Sequence, residues 1–548
     1  MKKILFTLLC LLILPVMFAQ KTSETFERGF ALFQSGKYEK ALPFFEKDLA
    51  QQPKFGYSNF AAGVCLIELG RYSEAIPYLD KAIKYVPKNE RPYVYPKKAM
   101  ACYNAEGPTS SLAVMDEAIK KYPKIAMLYT MRGYIYEDME YYPSAQRDFE
   151  TAVALDPTQW EAALHLSQVL RNSQKPLEAV EWAQRAISSI DRQYSAKPLL
   201  YLSSLYVELE QYDKAISTFS TYVQLEEYYP EFLDVLTALA DTVPEQLIAK
   251  MDAQSVKYPT KAIWPWISSQ VCGYNDEYHR ALPYAEKAYT LSGDSNFLDN
   301  LIRIETFASE SDLALKDIEH LLEWNYPYEQ YVNLKFNILI YNARYDEALQ
   351  FYDATVESFT GNTLTLRRQV GDSIIHYSVI DTVGFIDAPI HCYAGKREWK
   401  KAIEYLEKTW PAAVNAEDSI RTYNYLMDFY TYLGDTASAR DAARKAIALK
   451  PDRIIAYYLL GDMETAQKNL SEKYDLNSED TYELYRIAQV YANMNDIPNA
   501  LLYLRKAFEK GYYFGVGPYI ATDCELYNLR NLPEFKALLE EFAEKQKK

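Results

Sequence analysis

The chain of 548 residues is 49% apolar and 24% charged, and its 75 Asp and Glu outnumber 59 Lys and Arg to give a net charge of −16. This composition excludes a disordered, collagen-like or disulfide-scaffold chain. It also argues against nucleic acid and anionic lipid as partners, because phosphate binding needs clustered Lys and Arg.

The first predicted element is a targeting segment. Lys2 and Lys3 precede an uncharged apolar run from Ile4 to Phe18 that ends at Ala19, the layout of a signal peptide over residues 1–19 with cleavage after Ala19. Met17, three residues before the cut, departs from the usual small residue. The run is shorter than the ~20 residues a spanning helix needs and no second one follows, so no integral membrane segment is expected in the mature chain. Cys10 lies within the run, after Leu9, rather than at its end where a lipidated cysteine would stand. Cys65, Cys102, Cys272, Cys392 and Cys524 are odd in number and far apart, without C-x-x-C, and read as small buried residues. The ending Phe18-Ala19-Gln20 resembles secretory signals of Bacteroidetes-type bacteria. That resemblance implies an exported protein of the periplasm or outer envelope.

From Thr22 onward the chain repeats itself at a period of about 34 residues. GKYEKALPFFEKDLAQQP is followed by GRYSEAIPYLDKAIKYVP, and later by YYPSAQRDFETAVALDP, QYDKAISTFSTYVQL, EYHRALPYAEKAYTL, RYDEALQFYDATV and DTASARDAARKAIALKP. One small-residue position recurs at Ala41, Ala75, Ser111, Ala145, Ala179, Ala215, Leu247, Ala281, Ala314, Ala348, Ala402, Ala439 and Ala500. The copies around Leu247 and Ala314 are degenerate. The wide gap from Ala439 to Ala500 leaves room for a shortened repeat around Tyr457 to Tyr474.

This pattern resembles the tetratricopeptide repeat. Gly63, Gly70, Tyr72, Ala75, Leu79, Ala82 and Pro87 in one copy, and Gly133, Tyr136, Tyr142, Ala145, Phe149, Ala152 and Pro157 in another, match its signature. The resemblance implies an all-α fold, an α-α superhelix of about 13–14 helix-turn-helix repeats. Small residues would sit where paired helices cross, and a proline after each second helix would stop it. The Tyr surplus follows from aromatic positions that recur in every repeat. Ser73, Asp213 and Asp346 read as caps of second helices, with Pro43, Pro77 and Pro283 in the first turn beyond.

Residues 20–356 thus form an N-terminal array and residues 384–512 a C-terminal one. Between them, residues 357–383 are an insertion around TLTLRRQVGDSIIHYSVIDTV. Gly371-Asp372 between β-branched runs suits a β-hairpin, whereas Leu364, Val370, Ile374 and Tyr377 also fall near helical spacing. Residues 513–548 read as a closing segment, loop residues followed by a polar amphipathic helix that caps the array.

No catalytic site, cofactor or metal centre is expected. The five His are far apart, and H-E-x-x-H, G-x-S-x-G, S-x-x-K, Walker A and EF-hand patterns are all missing from the sequence. His391 beside Cys392 would point to different helix faces, and Glu137, Asp138 and Glu140 read as a solvated helix end.

The resemblance further implies that the first helix of each pair lines a concave face. The corresponding positions in the early repeats hold Phe26, Phe30, Phe33, Tyr57, Phe60, Val64, Ile67, Tyr93, Met100, Tyr103 and Tyr134. Later repeats place Gln168, Arg171, Asn172, Gln270, Asn333, Asn337, Asn424, Asp428, Gln489 and Asn493 there. The aromatic set is the candidate groove for an apolar peptide or helix, unless these rings pack on a cap. Phe26, Phe60, Pro96, Thr130 and Leu164 stand where a carboxylate clamp would need Lys, so capture of a chain terminus is not expected. The function that follows is a non-enzymatic scaffold or adaptor that binds protein partners or peptide segments. The alternative is a carrier of glycan or of unfolded secretory clients.

Overall fold

The computed structural model describes residues 22–191, 195–225, 232–323, 328–360, 363–370, 373–379, 383–409, 416–512, 520–521 and 523–546. The expected signal peptide and Cys10 lie outside them. Among the described residues are 29 α-helices and one small sheet, arranged as successive antiparallel helix pairs with a single closing helix. The chain divides into two compact units, Met1–Gln246 and Leu247–Lys548.

All 13 residues of the recurrent small position are buried, with at most 1% exposure. In the first unit the reason is visible at two glycines. A Cβ added at Gly63 would lie 2.7 Å from Leu79 Cγ, and one at Gly133 2.6 Å from Phe149 Cε1. The first helix therefore approaches its partner closely only because it lacks a side chain there. The turn between paired helices takes a left-handed residue at nearly every repeat, filled by Gly36, Gly70, Gly434 and Gly461 but also by Glu140, Gln174, Glu210, Asp276, Ser309, Ala343, Arg397 and Asn495.

Two expectations about the second helices need correction. Helices Tyr72–Tyr85, Tyr212–Leu225 and Tyr345–Thr355 start two residues earlier than expected, so Ser73, Asp213 and Asp346 are their second residues, not caps. The residue before Tyr72, Arg71, makes no side-chain cap bond, nor does Arg344 before Tyr345; acidic side chains in the first turn favour the positive end of the helix dipole instead. Side-chain caps occur at Ser23, Asp294, Asp435, Asp462, Asp480 and Asp496. Pro43, Pro77 and Pro283 are sixth residues, in the second turn; each is exposed and its helix continues past it.

In the second unit the insertion is β-structure, as the hairpin reading has it, and not a helix. Strands β1 (Val356–Thr360), β2 (Thr363–Val370) and β3 (Ser373–Val379) pair antiparallel in that order, with a register irregularity between Val356 and Ser358. Leu364 and Leu366 are fully buried, Tyr377 stacks on Tyr328 at 4.8 Å, and the Arg368 guanidinium lies 5.4 Å from the centre of the Tyr328 ring. Strand β1 was not expected. The residues Gly371 and Asp372 of the expected turn lie outside the described residues.

The shortened repeat is present as helices Ile454–Leu460 and Met463–Lys473, with left-handed Gly461 between them and Ala466 fully buried. The closing helix Pro533–Gln546 buries Phe535, Leu538 and Phe542 against the last pair, Phe542 meeting Phe508 at 5.3 Å. Its apolar face thus covers the end of that core.

Cys65, Cys102, Cys272 and Cys392 are buried. Burial pushes Cys65 and Cys392 up to about 12, which keeps both protonated and unreactive.

Candidate functional site

In the first unit the aromatic side chains expected to line a groove fall into three settings. Phe26 and Tyr57 are core residues, each 3% exposed. Phe26 contacts Phe30, Phe45 and Phe55 at 5.5–5.7 Å between ring centres. The Tyr57 hydroxyl donates to Glu90 at 3.1 Å, and burial followed by that bond pushes it up to about 12. Phe30, Phe33 and Phe60 are partly buried against the same core, with Phe30 and Phe33 stacked at 6.0 Å. Val64 and Ile67 are buried.

The remaining three residues do not join this cluster. Tyr93 is exposed. Tyr103 donates its hydroxyl to Asp138, the main cause of its rise to about 12. Tyr134 packs its ring 4.5 Å from His165 and 5.6 Å from Phe149, and burial raises its hydroxyl well above the ordinary range.

Polar side chains tie these first helices together. His165 Nδ1 lies 2.8 Å from Glu137 Oε2 and Arg171 pairs with Glu208, whereas Arg132 links its first helix to Asp148 and Asp116 of second helices at 2.7 and 2.6 Å. Glu137 and Asp138 are therefore engaged within the chain. The spacing of 28 residues from Glu137 to His165 crosses from one repeat to the next, a signal outside any single-repeat motif.

The second unit holds a small cleft, open to solvent. Its walls are the first helices Ala416–Leu433 and Thr481–Asn493, the shortened pair between them, and a segment that begins at Asp523. Asn424, Asp428, Gln489 and Asn493, expected on the exposed face of first helices, all line it. His391 lies on the same series of first helices, its Nε2 3.4 Å from the Tyr425 hydroxyl, while Cys392 beside it is buried. Neighbouring residues of a helix thus point apart, as expected. Asp387 accepts from Arg421 at 3.3 Å, and burial raises its carboxyl above the usual range.

Sequence reasoning missed Arg486, Asp523 and Glu525, which complete the cleft. Asp523 is 4% exposed and accepts from Tyr485 and from Gln489 Nε2, the latter at 2.6 Å; its other oxygen takes the Glu525 backbone N–H at 2.8 Å. Those bonds anchor the segment and present Glu525 to the cleft, where Arg486 Nη1 donates to it at 3.0 Å and to Gln489 Oε1 at 2.7 Å. Burial, then Asp523, pushes Glu525 up to about 7. Burial, then Glu525, raises Asp428 well above the carboxylate range. Because this segment does not repeat, periodicity carries no trace of it.

Among the described residues no group of three or more His, Cys, Asp or Glu is placed to hold a metal ion, and no helix is long and apolar enough to cross a membrane.

A tetratricopeptide-repeat family model matches residues 32–99, and a second matches residues 130–198 and 430–472. These segments are tetratricopeptide repeats. Comparison with curated proteins found no match. Among solved structures, a chain from the functional characterisation of Pseudomonas aeruginosa pilF is 19% identical, with 38% of this chain and 94% of that one covered and a TM-score of 0.32. The C-terminal part of a repeat-containing protein from Cytophaga hutchinsonii is 12% identical, covering 50% and 99%, with a TM-score of 0.33. A thermophilic repeat protein of Thermus thermophilus is 18% identical, covering 33% and 97%, with a TM-score of 0.28.

Proposed function

We propose that this chain of tetratricopeptide repeats is an exported, non-enzymatic adaptor of the bacterial periplasm or outer envelope, and that it binds a protein partner on the faces of its first helices. The fold is typical of protein-interaction scaffolds. One observation carries the reading: Asn424 and Asp428 from one repeat and Gln489 and Asn493 from another converge on one open cleft. Side chains needed only for stacking would be apolar and buried, as Ala439 and Ala500 are. A few convergent polar groups on the walls of a concavity are what fixes a bound group's orientation. The charged amino end of the sequence and its apolar run support export, and the uncharged ending at Ala19 supports processing there.

The test is in-cell cross-linking and affinity capture of the mature protein, with mass spectrometry, beside Asn424→Trp, which fills the cleft, and Tyr93→Asp, which alters an exposed ring elsewhere. Loss of one abundant envelope partner in Asn424→Trp, with retention in Tyr93→Asp, is the expected result. Equal recovery from all three proteins would move the site away from the cleft. Recovery of glycan in place of protein would favour the carrier reading.

A further inference from the structure

Asp428 stands out in the cleft because no hydrogen-bond donor and no cation among the described residues pairs with it, although it is half-buried beside Glu525 in the same walls. Its acidic neighbour Glu525 has one fixed partner, Arg486, whose guanidinium is shared with Gln489. The other charged groups of the cleft are engaged elsewhere or stand at its rim. Asp523 is consumed by Tyr485, Gln489 and a backbone N–H. Arg453 pairs with Asp452 at 3.1 Å. Lys473 lies 5.2 Å from the centre of the Tyr474 ring and acts on Glu525 only through space.

Two crowded carboxyls, one without a counter-charge, cost the free protein stability that a cation would return. Met427, Ile454 and Val490 add apolar surface to the same walls, which suits the aliphatic stem of a long basic side chain. A calcium ion fits poorly, since it takes about six to eight oxygen ligands and only Asp428 and Glu525 retain uncommitted carboxylate oxygens.

We propose that the cleft seats a lysine or arginine side chain of the protein partner between Asp428 and Glu525. This rests on the protein-binding reading above and names the chemistry recognised at that site. A cation placed there favours the ionised form of both carboxyls, so seating it releases protons. Binding therefore tightens as pH rises through neutrality.

The test is calorimetry with the full mature chain. The probes are an acetyl-capped Ala-Lys repeat peptide and the same peptide with every lysine Nε-acetylated. The charged peptide is expected to bind with proton release, seen as a heat that depends on the ionisation enthalpy of the buffer, and more tightly at pH about 8 than at about 6. Acetylation should weaken it at least about tenfold. The double variant Asp428→Asn with Glu525→Gln, checked for folding by circular dichroism, should lose the same factor and the proton release. Unchanged binding of the charged peptide to that variant overturns the proposal, as does the absence of binding by either peptide. Equal binding of both peptides, lost in Asn424→Trp, would overturn the cation while leaving the protein-binding reading in place. Partner capture failing in cells would instead remove that reading itself.

Discussion

The Ser167 hydroxyl donates to the Ala179 carbonyl at 2.6 Å, joining the first helix of a repeat to the second at their closest approach. Ser203 bonds Ala215 in the same way at 2.9 Å. In the repeat of Ser111 the relation is reversed, with Ser111 donating to the Ala99 carbonyl at 2.8 Å. Ser167 is fully buried, so its size and its bond both count. Ser167→Ala should cost about 1 kcal/mol, whereas Ser167→Val should cost roughly 1–3 kcal/mol more through overpacking. Thermal unfolding of the two variants checks the order.

Close packing also makes Gly133→Ala destabilising. An exposed helical glycine gains ~1 kcal/mol on becoming alanine, but here the added methyl meets the Phe149 ring at 2.6 Å. A net loss of roughly 1–2 kcal/mol is expected, with hydrogen exchange rising first in Ala126–Asp138 and Tyr142–Leu155.

Left-handed turn residues give a stabilising prediction. Glu140 and Glu210 hold φ of 61° and 57°, a conformation that costs an L-residue about 1 kcal/mol and glycine almost nothing. Both side chains are exposed. Glu140→Gly and Glu210→Gly should each add up to ~1 kcal/mol, less the greater freedom glycine gives the unfolded chain, and the gains should add because the turns are in different repeats. Chemical denaturation of the two single variants and the double variant checks both the sign and the additivity.

Glu305 makes the second unit sensitive to pH. It is 2% exposed and its Oε2 has no hydrogen-bond partner. Burial first, then Asp317, Glu286 and Glu310, with Lys316 opposing, push it up to about 8. A carboxyl whose folded value is raised binds more protons folded than unfolded. Its contribution is therefore complete below about 4.5 and is lost as pH rises through about 8, with a slope of at most ~1.4 kcal/mol per pH unit. Glu305→Gln should remove that slope. Identical pH profiles of unfolding for the two proteins would show that Glu305 is ionised when folded.

Most of the fold is legible because small residues at helix crossings recur in phase, from Ala41 to Ala500, and each one is buried. The caps lie two residues before Ser73, Asp213 and Asp346, which are cap-type side chains, because the left-handed turn already delivers the chain into the helix at Arg71, Gln211 and Arg344. Strand β1 escaped because VESFT directly follows a helix and lacks alternation strong enough to announce itself. For the candidate site, position within the repeat put Asn424, Asp428, Gln489 and Asn493 on the polar part of the first-helix face, and the fold brings these four to one cleft, whereas the groove the sequence favoured was the aromatic one. It could not foresee that Phe26 and Tyr57 would turn into the core, since the rotation of a helix depends on its neighbours as well as on its own register. Asp523 and Glu525 belong to no repeat, so only the folded chain brings them to the cleft.

The most direct test of the adaptor account is hydrogen exchange of the full mature chain with and without its captured partner. The account predicts protection on the first helices Ala416–Leu433 and Thr481–Asn493 and at Asp523–Leu526, with the second helices Thr436–Leu449 and Ile497–Glu509 unchanged. Protection confined to the second helices, with the cleft exchanging as in the free protein, would contradict it.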